Sequence, residues 1–449
     1  MKDPSKGPGL GCRPWPLRTR LAARASQVLG ALSRWSGRGS GSVVGGHVML
    51  AIDPQALRRL SASREVLLVS GTNGKTTTTK LLATSLLASG PVVTNVLGAN
   101  LPTGLAAALG ARPASAPAVL EVDEAWLASV AEQVRPSGLV LLNLSRDQLD
   151  RNNEVRQVAQ RWRRACEGAS PPAFVVANAD DPLVVWAASK AERAIWVGAG
   201  LLWKGDATGC PACGGQVRFA SARAESAPAA SESARGGTGW ACAECGFSRP
   251  SPEIWLAYDG VAGTELAFAS GERYPLLLSL PGRCNQANAA MAVAATFASG
   301  RPVAQALEAV PVVRDVAGRY ATVRAGPVLA RLLLAKNPAG WAEVFGMLHP
   351  LPSPVVIAIN ARTADGHDPS WLWDVEFEQL RGRLVVASGE RGLDLAVRLH
   401  YADVEHVHVP DLSQALKTAG TEGARAGSAV DVVANYTAFH QLLAIAGLG

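Results

Sequence analysis

Residues Leu68–Ala83 read LVSGTNGKTTTTKLLA. An apolar run that reads as a strand (REVLLVS, 64–70) enters a glycine-containing turn, and a helix opens on Lys-Thr. A polyphosphate needs these parts. Backbone N–H groups of Gly71, Thr72, Asn73 and Gly74 can converge on it, and the helix N-terminus adds positive potential. Lys75 can reach the phosphate oxygens, and the hydroxyl of Thr76, followed by Thr77, can ligate Mg²⁺. Val69 stands where the general G-x-x-x-x-G-K-[ST] pattern has its first glycine. The stretch is therefore read as a shorter GTNGKT turn fed by a strand that runs through Val69.

Strand and helix alternate on either side of this turn. KTTTTKLLATSLLAS (75–89) is the helix after the loop, and PVVTNVLGANLPTG (91–104) leads from a second strand into another loop. APAVLEVDE (116–124), SGLVLLNLSRDQLD (137–150) and PPAFVVANADDP (171–182) read as buried strands. Each carries its polar residues just past the strand's C-terminal end, where parallel α/β sheets bind ligands. Glu121 is placed to hold Mg²⁺ directly or through water. Asp123 is as well read as a solvated acid at a loop start, and Glu124 better so. Asn143, Arg146, Asp147, Asp150 and Asp180 sit on the same edge, where turn chemistry also selects Asn and Asp.

Composition excludes several classes of function. The chain of 449 residues is too long for one core. Its longest apolar runs fall far short of the roughly 20 residues that span a bilayer. The net charge of +6 is concentrated at one end: residues 1–38 hold eight Lys/Arg against Asp3 alone, so the rest sums to about −1. A body without basic excess disfavours a nucleic-acid surface. In WPLRTRLAARASQVLGALSRW, Leu17, Leu21, Val28, Leu32 and Trp35 recur at helical spacing among arginines. That pattern suits a helix on an anionic membrane surface, a helix packed on its own domain, or an arm. The interrupting arginines exclude a secretory signal.

Between about residues 204 and 250 the alternation stops. Cys210-x-x-Cys213 and Cys242-x-x-Cys245, separated by 28 residues, flank the low-complexity ASARAESAPAASESARGGTG. Two CxxC pairs, each followed by glycine, predict a tetrahedral thiolate site for structural Zn²⁺. EIWLAYDG and TELAFASGERYPLLLSL then return to the main fold, followed by a helix in PGRCNQANAAMAVAATFA. From about Asp315, PVLARLLLA, SPVVIAIN, RLVVAS, VEHVHV and AVDVVAN form a second, smaller α/β series. The expected division is a basic arm or helix (1–45), an ATP-binding domain (46–314) with the insertion at about 204–250, and a C-terminal domain (315–449).

The GTNGKTT turn resembles that of the Mur ligases and folylpolyglutamate synthetases. That resemblance implies a P-loop central domain and ATP-driven amide formation: a carboxylate attacks the γ-phosphate and a nitrogen nucleophile displaces phosphate from the acyl-phosphate. It also places Asn288 of NQAN against the adenine, with Asn285 opening the segment and Cys284 where many members have His or Tyr. Arg319 in AGRY becomes a phosphate contact, or is a surface arginine.

The inserted cysteines, KNPAG (336–340) and DGHDPSWLWD (365–374) resemble one branch more closely. This is the MurT family, the synthetase subunits of lipid II isoglutaminyl synthase, and the resemblance runs from about residue 40 to the end. Like that branch, the chain is expected to lack an N-terminal UDP-binding domain, with barely 60 residues before the loop. Membership implies a smaller Rossmann-like C-terminal domain and an ATP-dependent carbon–nitrogen ligase. The reaction implied is amidation of the α-carboxyl of D-glutamate in the lipid II stem peptide, at the cytoplasmic face of the membrane. Ammonia would come from a glutaminase subunit, GatD, in a heterodimer, with Asp368 orienting that partner's catalytic His. On the residues alone Asp368 reads as a helix N-cap for PSWLWDVEFEQL, with Asp365 and Asp374 as further candidates and His367 where relatives often have Arg. Trp371 and Trp373 would face different sides of that helix, one the core and one a partner. Asn100, Arg146, Asp147, Lys336 and Asn337 would line the substrate cleft, although Lys336 and Asn337 also fit an ordinary turn before Pro338. The rival readings are a folylpolyglutamate-synthetase-like amino-acid ligase, active without a glutaminase, and a zinc-ribbon nucleotide-binding module acting on nucleic acid.

Overall fold

In the computed structural model, residues 15–35, 42–95, 99–111, 115–146, 155–220, 239–259, 263–316, 319–325, 328–426 and 429–447 are described. Three helices come first: α1 (Leu17–Trp35), α2 (Ser42–Ile52) and α3 (Ala56–Ser61). A sheet then begins with β1 (Val66–Ser70) and runs through β2 (Ala118–Glu121), β3 (Gly138–Leu141), β4 (Phe174–Asn178) and β5 (Ala194–Gly198). Between these strands lie α4 (Lys75–Leu86), α5 (Pro102–Gly110), α6 (Leu127–Val134), α7 (Val155–Glu167) and α8 (Pro182–Ala188). The cysteine insertion contributes the two-stranded pair β6 (Val217–Phe219) and β7 (Trp240–Cys242). Next, β8 (Ile254–Asp259), β9 (Gly263–Phe268) and β10 (Arg273–Pro275) complete an eight-stranded sheet in the order β10-β9-β8-β5-β4-β3-β1-β2. Its strands are parallel except for the β8-β9-β10 meander.

Strand β1 shows why this sheet forms. All five of its residues are buried, and they alternate between the sheet's two faces. Val66 and Leu68 join one apolar cluster with residues of α1–α3 and α5–α8. Leu67 and Val69 join another with α4 and α9 (Arg283–Ala298). Val69 pairs in register with Glu121 of β2 and with Val140 of β3. It is the buried end of a central strand, a place where a glycine would forfeit about 1.5–3 kcal/mol of side-chain burial. Alanines at 289, 290, 292, 294 and 295 are fully buried and let α9 pack closely beside α4.

After α10 (Val303–Ala309), a second sheet has the order β11-β12-β16-β13-β14-β15. Its strands are β11 (Tyr320–Ala325), β12 (Val328–Leu334), β13 (Val355–Ala358), β14 (Val385–Ser388), β15 (His406–His408) and β16 (Val430–Ala434). All neighbours are parallel except β11 and β12. Again side chains alternate, Val355 and Ile357 into one cluster and Val356 and Ala358 into the other.

Two local expectations are corrected. The strand expected at 91–95 is only an isolated bridge, Val93 to Ala118. The Asn95 side chain explains the break: its amide accepts from Glu121 N–H and donates to Glu121 C=O, both at 2.8 Å. Those are the groups a longer ladder would use. The helix expected over PSWLWDVEFEQL is two short 3₁₀ turns, Ser370–Asp374 and Phe377–Leu380. Val375 between them is extended (φ −84°, ψ 131°), and its carbonyl accepts from Arg398 Nη2 at 2.7 Å. Both Val375 and Phe377 thereby reach the core.

Candidate active site

The loop from Ser70 to Lys75 is held by the backbone beyond β3. Thr72 N–H donates to the Asn143 carbonyl at 2.9 Å, and the Asn143 side chain grips both backbone groups of Asn73, at 2.9 and 3.0 Å. Thr72 Oγ1 donates to Ser145 C=O at 3.1 Å and accepts from Ser145 N–H at 2.9 Å. Gly74 has φ +86°, and a Cβ there would run into the Asn288 amide, so the turn requires glycine. Asn288 is buried beneath the loop, accepting from Thr78 Oγ1 at 3.2 Å and donating to Asn285 Oδ1 at 3.4 Å.

The predicted Mg²⁺ ligands meet. Thr76 Oγ1 donates to Glu121 Oε2 at 2.8 Å, and Asn100 Nδ2 approaches Glu121 Oε1 at 3.4 Å. A hydroxyl, a buried carboxylate and an amide form an oxygen-rich set that fits a hard divalent cation. Lys75 Nζ curls over the turn to the carbonyls of Gly71 (2.5 Å) and Thr72 (3.2 Å) and to Glu124 Oε2 (2.9 Å). Glu124, expected to be solvated, is thus the partner of the loop lysine. Burial first, and the neighbouring charge of Glu124 second, raise the Asp123 carboxyl above its ordinary range.

A cavity opens from the loop, lined by Thr72–Thr77, Asn288, Arg319, Lys336 and residues of the second sheet's elements. Its far wall is α11 (Pro338–Phe345), whose N-cap is Asn337. Asn337 is nearly fully buried; its Oδ1 accepts from Gly340 N–H at 2.8 Å, and its amide also pairs with Asn73. Glu343, Cys284 and Tyr258 line the same space. Burial lifts the Glu343 carboxyl to about 7, against the pull of Arg283. Burial, helped by the charge of Glu343, pushes the Cys284 thiol to about 12, so it is a neutral wall and not a nucleophile.

Other expected residues that are described lie apart from this cavity. Arg146 pairs with Asp206 of the insertion at 2.5 Å and with Asp374 at 3.4 Å. Asp147 and Asp150 fall outside the described residues. Asp180 is buried against Arg249 at 2.8 Å and Gly200 N–H at 2.8 Å, tying the insertion to the sheet. Asp365 is consumed by Thr437 N–H (2.8 Å) and Thr437 Oγ1 (2.5 Å), which removes it as an alternative to Asp368. Asp368 is exposed; Ser370 N–H at 2.8 Å occupies Oδ1 and holds the carboxyl below its ordinary range. Trp371 is buried in the core, while Trp373 is 56% exposed.

The four cysteine sulfurs lie within 4.8 Å of one another, and backbone N–H groups of Gly215 and Glu244 point at Cys213 and Cys242. The N–H groups of Cys245 and then Glu244 draw the Cys242 thiol down to about 7. Four converging sulfur donors can hold a metal ion.

The sequence reading missed Asn95 and Glu343. Asn95 carries no local signal, because its partner is 26 residues away. Glu343 is one acid in an unremarked helix until the fold turns it toward Arg283 and Cys284.

Comparisons with known proteins agree with this geometry. Residues 69–200 match the family profile "Mur ligase middle domain", and residues 334–439 match "MurT ligase C-terminal". A Streptococcus pneumoniae protein named lipid II isoglutaminyl synthase (glutamine-hydrolyzing) subunit MurT is 31% identical over 456 residues, covering 94% of this chain and 96% of the relative. Its Staphylococcus aureus (strain N315) namesake is 26% identical, covering 86% and 87%. Among solved structures, a pseudomurein peptide ligase type C from Methanothermus fervidus shares the fold, with a TM-score of 0.62 at 18% identity over 85% of this chain and 78% of the other. A relative matched end to end and two profiles that meet at one cavity place this chain in the MurT family of Mur-ligase-like enzymes.

Proposed function

We propose that this chain amidates the α-carboxyl of D-glutamate in the stem peptide of lipid II, giving D-isoglutamine. The observation that supports it best is the shared cavity: the phosphate-type loop forms one wall, and the Lys336–Met347 segment of the MurT-type match forms the opposite one. The substrate carboxylate, presented from the side of Lys336 and Asn337, attacks the γ-phosphorus of ATP. The P–O bond to ADP breaks and an acyl-phosphate forms. Ammonia then attacks the acyl carbon, the C–O bond to phosphate breaks, and a proton leaves the nitrogen. Lys75 and the loop N–H groups offset charge on the phosphates, Asn288 and Arg319 flank the nucleotide, and Glu121 with Thr76 would hold Mg²⁺. Bound Mg²⁺ supplies further neutralisation at the phosphate oxygens. Positioning and electrostatics account for the catalysis, without a covalent enzyme intermediate.

Ammonia is supplied by a separate glutaminase subunit, GatD, and Asp368 orients its catalytic His. Support comes from the exposure of the Asp368 carboxylate and from its place just before the turn that carries exposed Trp373. The cysteine cluster is a zinc site. Four thiolates leave no open coordination position, so zinc there folds the insertion and takes no part in the chemistry. The smaller sheet, from about residue 315, forms the Rossmann-like C-terminal domain. Release of ADP tests the reading: it should require lipid II together with ammonia, or with glutamine and the glutaminase, and release driven by any other free amino acid would overturn it.

A further inference from the structure

Helix α1 is packed the wrong way round for a core helix. Its buried face is small and polar: Thr19, Ala22, Ala23, Ser26 and Gly30 lie against the body. Thr19 Oγ1 donates to Asp53 Oδ2 at 2.6 Å, and Ala22 and Ala23 share a cluster with Met49 of α2. Its large apolar residues point outward, with Leu17 69%, Leu21 53%, Val28 60%, Leu32 51% and Trp35 88% exposed. At 3.6 residues per turn these five fall within roughly 60° of arc, opposite the buried stripe. Val43 and Val44, opening α2, are about half exposed as well. Exposed Arg24 and Arg20 flank the stripe on one side, Arg18 is anchored to Ile52 C=O at 2.5 Å, and the helix sequence contains no Asp or Glu.

We infer that α1 docks this protein on an anionic bilayer, with Leu17, Leu21, Val28, Leu32 and Trp35 among the acyl chains and Arg20 and Arg24 at the headgroups. The charge argues for lipid as the occupant. A second copy would bring arginines against arginines, whereas anionic headgroups neutralise them, and an aromatic at the helix end suits the interface. No helix among the described residues is long and apolar enough to cross a membrane, so this is attachment in the plane of the surface. The inference stands on the helix alone and does not depend on which carboxylate is amidated.

The full chain is floated with phosphatidylglycerol–phosphatidylcholine vesicles and with pure phosphatidylcholine vesicles. Binding should be at least about tenfold tighter to the anionic set and should weaken with salt. Combined Leu21→Glu, Val28→Glu and Leu32→Glu substitutions, all at exposed positions, should abolish it with an unchanged circular-dichroism spectrum and Tm. Arg20→Glu with Arg24→Glu should remove the preference for anionic lipid. Brominated lipid should quench the native protein more than the Trp35→Phe variant. No binding by the native chain, equal binding by the triple variant, or a solution dimer that the same substitutions dissolve would each overturn the inference.

Discussion

Asn73 of the phosphate-type loop and Asn337 at the start of α11, 264 residues apart, exchange two side-chain hydrogen bonds, Asn73 Nδ2 to Asn337 Oδ1 at 3.2 Å and Asn337 Nδ2 to Asn73 Oδ1 at 3.3 Å. The loop's backbone is fixed from below by Asn143, so this amide pair ties the second sheet's unit directly to the rigid turn. Asn337→Ala should therefore lower kcat for ammonia-driven amidation about tenfold or more, with a smaller change in ATP KM. A double-mutant cycle with Asn73→Ala should show a coupling of about 0.5–3 kcal/mol. Strictly additive losses would show that the pair does not act as a unit.

Glu121 carries the second expectation. Its carboxylate is buried and held by Thr76, Asn100 and the Asn95 clamp on its backbone. Glu121→Gln preserves the shape and removes the charge, so kcat should fall by about 10²–10³ and half-saturation by Mg²⁺ should move up. Thr76→Ser should retain most activity, because the hydroxyl is what the site uses. An unchanged Mg²⁺ dependence in Glu121→Gln would remove Glu121 from the metal site.

Much of this site is legible in the chain and part is not, for physical reasons. Lys75, Thr76 and Glu121 are readable because a phosphate turn and a strand-end acid obey local rules of spacing. The strand at 91–95 fails because Asn95 spends its side chain on Glu121, a tertiary bond that overrides local β pattern. Glu124 is misread because an acid at a loop start looks solvated until Lys75 folds back onto it. The 3₁₀ break at Val375 has the same origin, since Arg398 takes its carbonyl from a distant helix. Most strands of the two sheets are readable from alternation, but β5 and β11 go unread, and so does the Asn73–Asn337 junction between the sheets.

Glu343 gives a pH signature. Its carboxyl titrates at about 7 in the folded chain, raised by burial from an ordinary 4.5. Between those values the folded state holds a proton that the unfolded state has released. Wild-type stability therefore falls as pH rises through that window, and the loss is complete above about 7. Glu343→Gln should raise stability by roughly 3 kcal/mol at pH 8.5 and leave it unchanged near pH 4. Thermal unfolding at both pH values checks this; an equal gain at both would assign the effect to packing.

Asp368 separates the two nitrogen sources. Asp368→Asn keeps the acceptor for Ser370 N–H but removes the charge that would orient a partner imidazole. Glutamine-driven amidation should fall about 10²-fold or more, with ammonia-driven amidation within about twofold of wild type. Equal loss with both sources would mean that Asp368 only supports its own turn.

The most direct measurement is the mass of the product. The chain is combined with the proposed glutaminase subunit, ATP, Mg²⁺, glutamine and lipid II, and the lipid-linked peptide is weighed before and after. Replacement of one OH by NH₂ lowers the mass by about 1 Da, and fragmentation should place the change on the α-carboxyl of D-glutamate. A gain equal to an added amino acid, or an unchanged mass while ATP is consumed, would contradict the account.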